Sequence, residues 1–181
     1  MKTNVGYTGG TSAQPTYRQM GDHTESLQIH YDPGTISYRE LLDVFWGNHS
    51  AKQHGYKNRQ YMSLLMTHSP EQEEEAMSVK KEWEERTNKV IETEFVSDAP
   101  FYAAEDYHQK FYLNRWKQAT AKLSELYPTE EDLTDSTLAA RLNGFVKGHG
   151  TLKDLKEEIF GWKKSEKDKQ KIIATIDSIK W

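Results

Sequence analysis

The chain has 181 residues, 28 acidic and 24 basic side chains, a formal net charge of −4 and no Cys. The missing Cys excludes disulfides, thiolate-ligated zinc, iron–sulfur clusters and any catalytic thiol within these residues. No apolar run reaches the ~18 residues of a membrane span, and neither half is basic enough for nucleic acid. Leu, Ile, Val and Phe together fall just under the roughly 20% level at which disorder becomes a contender. The small net charge and the 5 Trp, 10 Tyr and 6 Phe point instead to a folded chain, because aromatics bury large areas. With no leader visible at Met1, the expected compartment is cytoplasmic, and a monomer is expected.

In chain order, Val5-Gly6-Tyr7-Thr8-Gly9-Gly10 reads as a strand entering a Gly-rich turn. Thr24 to Tyr31 alternates apolar Leu27, Ile29 and Tyr31 with polar neighbours, a half-buried strand. Asp32-Pro33-Gly34 is a turn. Ser37-Tyr38-Arg39-Glu40 forms a capping box for a helix carrying Leu41, Leu42, Phe45 and Trp46. Tyr61 to Met66 predicts a short, deeply buried strand. Pro70 opens a long helix with Glu71 to Glu75 at its positive end. Ile91 to Val96 predicts another strand. Beyond residue 103 the pattern turns helical: 104–126, a helix from Thr129, then 151–160 and 165–180. Asn143-Gly144 and Gly148 to Gly150 act as breaks. Ser165 is an N-cap, and Ile172, Ile173, Ile176 and Ile179 share one face. The order of elements predicts an α+β single domain, a mixed β-sheet flanked by helices, with a helical C-terminal extension.

Three polar clusters could carry chemistry. They are Tyr17 with His23-Thr24-Glu25, His49 with Arg59-Gln60-Tyr61, and Glu105 to Gln109. Singly, each has a structural reading. A carboxylate at a strand start is commonly solvated, tyrosines commonly pack with one hydrogen bond, and His23, His49, His54 and His108 commonly serve structural hydrogen bonds. Glu105-x-x-His108 has the spacing used in di-iron bundles, but such sites need two such motifs and further inward Glu residues, so no metal or other cofactor is expected.

Together the segments resemble one family. Val5 to Gly10, Pro15-Thr16-Tyr17, His23-Thr24-Glu25, Tyr31-Asp32-Pro33, Ile36 to His49, Gln60-Tyr61, Thr93-Glu94 and Ala104 to Gln109 occur in the order found in methionine sulfoxide reductase A, the peptide-methionine (S)-S-oxide reductase. The resemblance covers about residues 3–115. It implies a ferredoxin-like α/β sandwich over 1–115, with 116–181 as a helical extension packed on it. It also implies reduction of methionine-S-sulfoxide, free or in proteins, as protein repair under oxidative stress. In the family a Cys or selenocysteine in a Gly-Cys-Phe-Trp-Gly motif attacks the sulfoxide sulfur. Thioredoxin or small thiols then reduce the resulting sulfenic acid. By motif, Glu25 is the general acid, and Tyr17 and Tyr61 hydrogen-bond the sulfoxide oxygen. That role suits a half-buried Glu25 with a raised pKa.

The nucleophile motif is absent. Phe45-Trp46 matches another family motif, on the helix begun by Ser37. The resemblance therefore implies an amino-terminally truncated domain lacking its first strand, nucleophile loop and first helix. An internal Met taken as a start after a recoded selenocysteine codon would produce it. Little turnover, an unpaired strand near Val5 to Tyr7 and a tendency to associate are expected. The alternative is a non-catalytic relative that binds sulfoxide through Tyr17, Glu25 and Tyr61. An Asp that some members place before the second Tyr is replaced here by Tyr56, with His54 or Asn58 as substitutes.

Overall fold

A computed structural model describes residues 1–52 and 59–181. It forms two compact units, Val5–Glu105, and Asp106–Trp181 together with Met1–Asn4. No helix among the described residues is long and apolar enough to cross a membrane.

Among the described residues, five strands make two small sheets. In the first, β1 (Lys2–Thr8) lies between β2 (Thr24–His30) and β5 (Tyr102–Ala103). β1 and β5 are antiparallel, with Gly6 opposite Ala103 and Tyr7 opposite Tyr102. Gly6 is required there. A Cβ would come 2.3 Å from the Tyr102 carbonyl oxygen and 2.5 Å from the Phe101 ring. The second sheet is a parallel pair, β3 (Leu64–Thr67) and β4 (Glu94–Ser97). The expected unpaired strand near Val5 to Tyr7 is therefore corrected, because those residues lie in the middle strand. Among the described residues the edge strands are β2 and β5 of the first sheet and both strands of the β3–β4 pair.

Helix α1 (Tyr38–Gly47) begins as the sequence predicts. Ser37 Oγ accepts from Glu40 N, and Glu40 Oε2 accepts from Ser37 N. Its Leu42 and Trp46 are buried. They pack with Ala76 and Val79 of α2 (Pro70–Thr87), and with Ala51 and Ile91. Ser69 caps α2, and Pro70 fills its first turn, where a missing N–H costs no helical bond. The strand expected over 61–66 begins later. Residues Arg59–Tyr61 form a 3₁₀ turn, and Leu64 to Met66 are only partly buried. A second, smaller cluster joins Tyr7, Met20 and Ala104.

The other unit is all helical apart from the first residues of β1. Helices α3 (Phe111–Asn114) and α4 (Lys117–Ser124) replace the continuous helix expected over 104–126. The chain breaks at Lys110, whose φ is +46°, and at Trp116, which leaves helical ψ. Helices α5 (Glu130–Thr134), α6 (Thr137–Val146), α7 (Leu152–Phe160) and α8 (Glu166–Ser178) follow. Asn143-Gly144, expected as a break, lies inside α6. Asn143 Oδ1 accepts from the N–H groups of Tyr112 and Leu113, capping α3 from a distance. One aliphatic core joins the helices, with Leu138, Leu142, Ile159 and Ile176 fully enclosed. Met1–Asn4 is tied in by Met1 N on Thr137 Oγ1 at 3.0 Å and by an ion pair between Lys2 and Asp135.

Candidate active site

The residues singled out by motif lie in the unit Val5–Glu105. Tyr17 sits at the tip of a tight turn closed by mutual backbone bonds between Thr16 and Gln19, at 3.0 and 3.3 Å. Its ring is exposed, while its N–H donates to Glu105 Oε1 at 3.1 Å.

The loop before this turn is held by two adjacent residues. Asp22 accepts from the backbone N–H and hydroxyl groups of Thr11 and Ser12 at 2.8 to 3.0 Å. Those donors, the Thr11 N–H foremost, hold its carboxyl well below the ordinary range. His23 is buried, accepts from Gly10 N–H through Nδ1 at 3.2 Å, and so donates Nε2–H to the Ser12 carbonyl at 2.7 Å.

Glu25, second residue of β2, accepts from Gln60 Nε2 at 2.7 Å, and the same nitrogen lies 2.9 Å from Tyr61 Oη. Gln60 thus joins two of the three predicted residues. Glu25 is exposed. This corrects the expected half-burial. Glu25 also lines a cavity of about 480 Å³ whose walls include Leu27, Phe45, Leu64, Met66 and Phe101.

The turn carrying Gln60 and Tyr61 is anchored by Arg59. Its guanidinium makes two bonds to Glu94 at 2.6 and 3.0 Å, and donates to the carbonyls of Asp22 at 3.1 Å and Gly9 at 3.4 Å. The paired carboxylate raises the Arg59 pKa above its ordinary value. A planar fork suits this two-point contact in a way an ammonium does not. Thr24 Oγ1 donates to the Arg59 carbonyl at 2.9 Å, joining β2 to the same turn.

His49 is built into a directed chain of bonds. Trp46 Nε1 donates to Thr93 Oγ1 at 3.1 Å, Thr93 bonds Ser63 Oγ at 2.8 Å, and Ser63 bonds His49 Nε2 at 2.7 Å. His49 Nδ1 donates to the Phe45 carbonyl at 2.6 Å. His23 and His49 thereby commit both ring nitrogens, and no cluster of three metal-ligating side chains occurs among the described residues. His108 stacks against Tyr107. His54, Tyr56 and Asn58 lie outside the described residues. Gln60 and Glu105 are the contacts that motif reading did not assign. Their adjacency to Tyr61 and Ala104 was visible, but their partners were not.

Comparison with known proteins gives the family. The family model described as peptide methionine sulfoxide reductase matches residues 1–140. A second, described as the helical domain of selenoprotein methionine sulfoxide reductase A, matches residues 129–176. A peptide methionine sulfoxide reductase of Drosophila melanogaster is 45% identical over 159 residues, covering 87% of this chain and 63% of that protein. Peptide methionine sulfoxide reductase A5 of Arabidopsis thaliana is 39% identical, covering 81% and 59%. This chain spans less than two thirds of the length of either relative. Among solved structures, Mxr1 from Saccharomyces cerevisiae in reduced form aligns at a TM-score of 0.53 and 32% identity, covering 64% of this chain and 71% of that one. The chain belongs to the peptide methionine sulfoxide reductase family.

Proposed function

We propose that these residues supply the sulfoxide-recognising and acid-assisting side of a peptide-methionine (S)-S-oxide reductase. Glu25 acts as the general acid, and the hydroxyls of Tyr17 and Tyr61 donate to the sulfoxide oxygen. The observation that carries this reading is the Gln60 amide, 2.7 Å from Glu25 Oε1 and 2.9 Å from Tyr61 Oη. One amide thereby sets a carboxyl and a phenol side by side.

The chemistry follows from those groups. A sulfoxide oxygen carries partial negative charge and gains more as a thiolate attacks the sulfur. O–H donors aimed at it stabilise that charge. A protonated carboxyl then transfers its proton to the departing oxygen. Glu25 is exposed without substrate. A methyl sulfoxide group laid over it displaces water from the carboxyl. The sulfoxide oxygen passes to the thiolate sulfur as a sulfenic acid and the thioether leaves; thioredoxin or small thiols then reduce the sulfenic acid to thiol and water, and the setting is protein repair by a cytoplasmic monomer.

The 181 residues contain no thiol. On their own they are expected to bind without turnover, which is also the behaviour of a non-catalytic sulfoxide-binding relative. Two measurements test the reading. Reduction of free methionine S-sulfoxide with dithiothreitol should be undetectable for these residues alone. Calorimetry with matched peptides should show the sulfoxide bound more tightly than the thioether. That preference should vanish in Glu25→Gln and Tyr61→Phe. Equal affinity for the two peptides in the unsubstituted protein would refute it.

A further inference from the structure

We infer that Glu105 is a positioning residue for the Tyr17 hydroxyl, an inference that rests on the reading above. Its carboxylate spans two elements. Oε2 accepts from Tyr7 Oη at 2.7 Å, and Oε1 accepts from the Tyr17 backbone N–H at 3.1 Å. The first partner is immobile by burial. Tyr7 is 2% exposed within β1 and packs with Met20 and Ala104. The residue before Glu105 is fixed too, because Ala104 N donates to the Val5 carbonyl at 3.0 Å. The carboxylate therefore starts from a backbone tied to β1 and is aligned by a core phenol.

The second partner is the opposite case. Tyr17 lies at the tip of the turn, and the bonds that close that turn use the backbone of Thr16 and Gln19. Tyr17 is 43% exposed. A bond from Glu105 to its N–H ties the tip to the sheet. A carboxylate is required for both contacts at once. It offers acceptors on both oxygens, whereas an amide of the same shape turns a donor toward one of two donors. Charged acceptors also bind N–H and O–H groups more strongly than neutral ones. Glu105 acts through Tyr17 and need not touch substrate.

The test is a double-mutant cycle on the whole chain with Glu105→Gln, Tyr17→Phe and both together. Calorimetry with the matched sulfoxide and thioether peptides gives the preference ratio for each variant. Glu105→Gln should lower the ratio roughly fivefold to tenfold, about what one hydrogen bond is worth, and leave thioether affinity nearly unchanged. In the Tyr17→Phe background it should add nothing, because no hydroxyl is left to position. Amide hydrogen exchange at Tyr17 should quicken in Glu105→Gln. Tyr7→Phe, which removes one of the two donors, should shift ratio and exchange in the same direction by less, and it carries the test if Glu105→Gln unfolds. An unchanged Tyr17 amide, or an effect additive with Tyr17→Phe, would overturn the inference while leaving the sulfoxide reading in place. If the unsubstituted protein shows no preference, the sulfoxide reading fails, and a quickened Tyr17 amide then marks Glu105 as a structural tie alone, which overturns its positioning role.

Discussion

The two units bury themselves by different means. In the helical unit one continuous aliphatic core runs through Leu113, Leu123, Leu138, Leu142, Ile159, Ile172 and Ile176. In the unit Val5–Glu105 the apolar core is split between a cluster around Leu42, Trp46 and Val79 and a smaller one around Tyr7. The same unit also buries His23, Thr24, Ser63, Thr67 and Thr93. Apolar burial is non-directional and scales with area. Buried polar chains are directional and must be satisfied at every link. The helical unit is therefore built for stability, and the sheet unit trades aliphatic area for groups that orient Gln60, Tyr61 and Tyr17.

The largest break in that comparison should come from the aliphatic core. Leu142→Ala or Ile159→Ala, each at a fully enclosed position, should destabilise the helical unit by about 2–5 kcal/mol in urea titrations. A loss below about 1 kcal/mol would mean that the core collapses around the gap and is not tightly packed. Next comes the polar chain. Ser63→Ala leaves His49 Nε2 and Thr93 Oγ1 each short of a partner. It should cost about 1–3 kcal/mol by the same titration, with less change in volume than the leucine truncation. Thr93→Val should cost a similar amount by stranding the Trp46 N–H.

A smaller effect is expected at the anchor of the turn. Glu94→Gln removes the charged partner of Arg59. Because both side chains are partly solvated, the stability loss should be about 1 kcal/mol or less. The sharper readout is the Tyr61 ring resonance, which should move as the Arg59–Tyr61 turn loosens. No movement would show that the turn is held by Thr24 and the Gly9 and Asp22 carbonyls alone.

The finest test is pH, where both units should gain stability as pH rises but in separate ranges, acid for the loop and alkaline for the helices. Asp22 has a folded pKa held below its unfolded value by the Thr11 and Ser12 donors. Its stabilising share is complete above about pH 4 and is lost as pH falls toward the lowered value. Asp22→Asn should remove that acid dependence in the loop Gly10–Ser12, read by amide exchange. Lys110 is lowered to about 8, chiefly by burial. Between about pH 8 and 10.5 the unfolded chain binds the extra proton, so stability of the helical unit should rise with pH. Lys110→Met should abolish that rise, and a persistent slope would place its origin in another group.

Much of the local structure was legible because its causes are local. The capping box at Ser37, Ser69 before Pro70, Thr129 and Ser165 each start a helix where short-range hydrogen bonding favours one. The failures were non-local. Strand β5 is two residues long and exists through its register with Gly6 and Tyr7. The break at Lys110 depends on Asn143, about thirty residues away, capping the next helix. A Gly-containing dipeptide in α6 looked like a turn because its capping partner could not be seen.

The site divides the same way. The amino-acid order by itself determined the residue types, the absence of a thiol and the capped helices, and by motif order it made Tyr17, Glu25 and Tyr61 the candidates, since these follow from composition, short-range bonding and resemblance. Only the tertiary structure decided that Gln60 reaches Glu25 across 35 positions, that Glu105 reaches Tyr7 across 98, and that Glu25 faces solvent. Such contacts carry no periodicity. They arise when packing brings distant donors and acceptors within 3 Å or so, where a buried or half-buried polar group must find a partner.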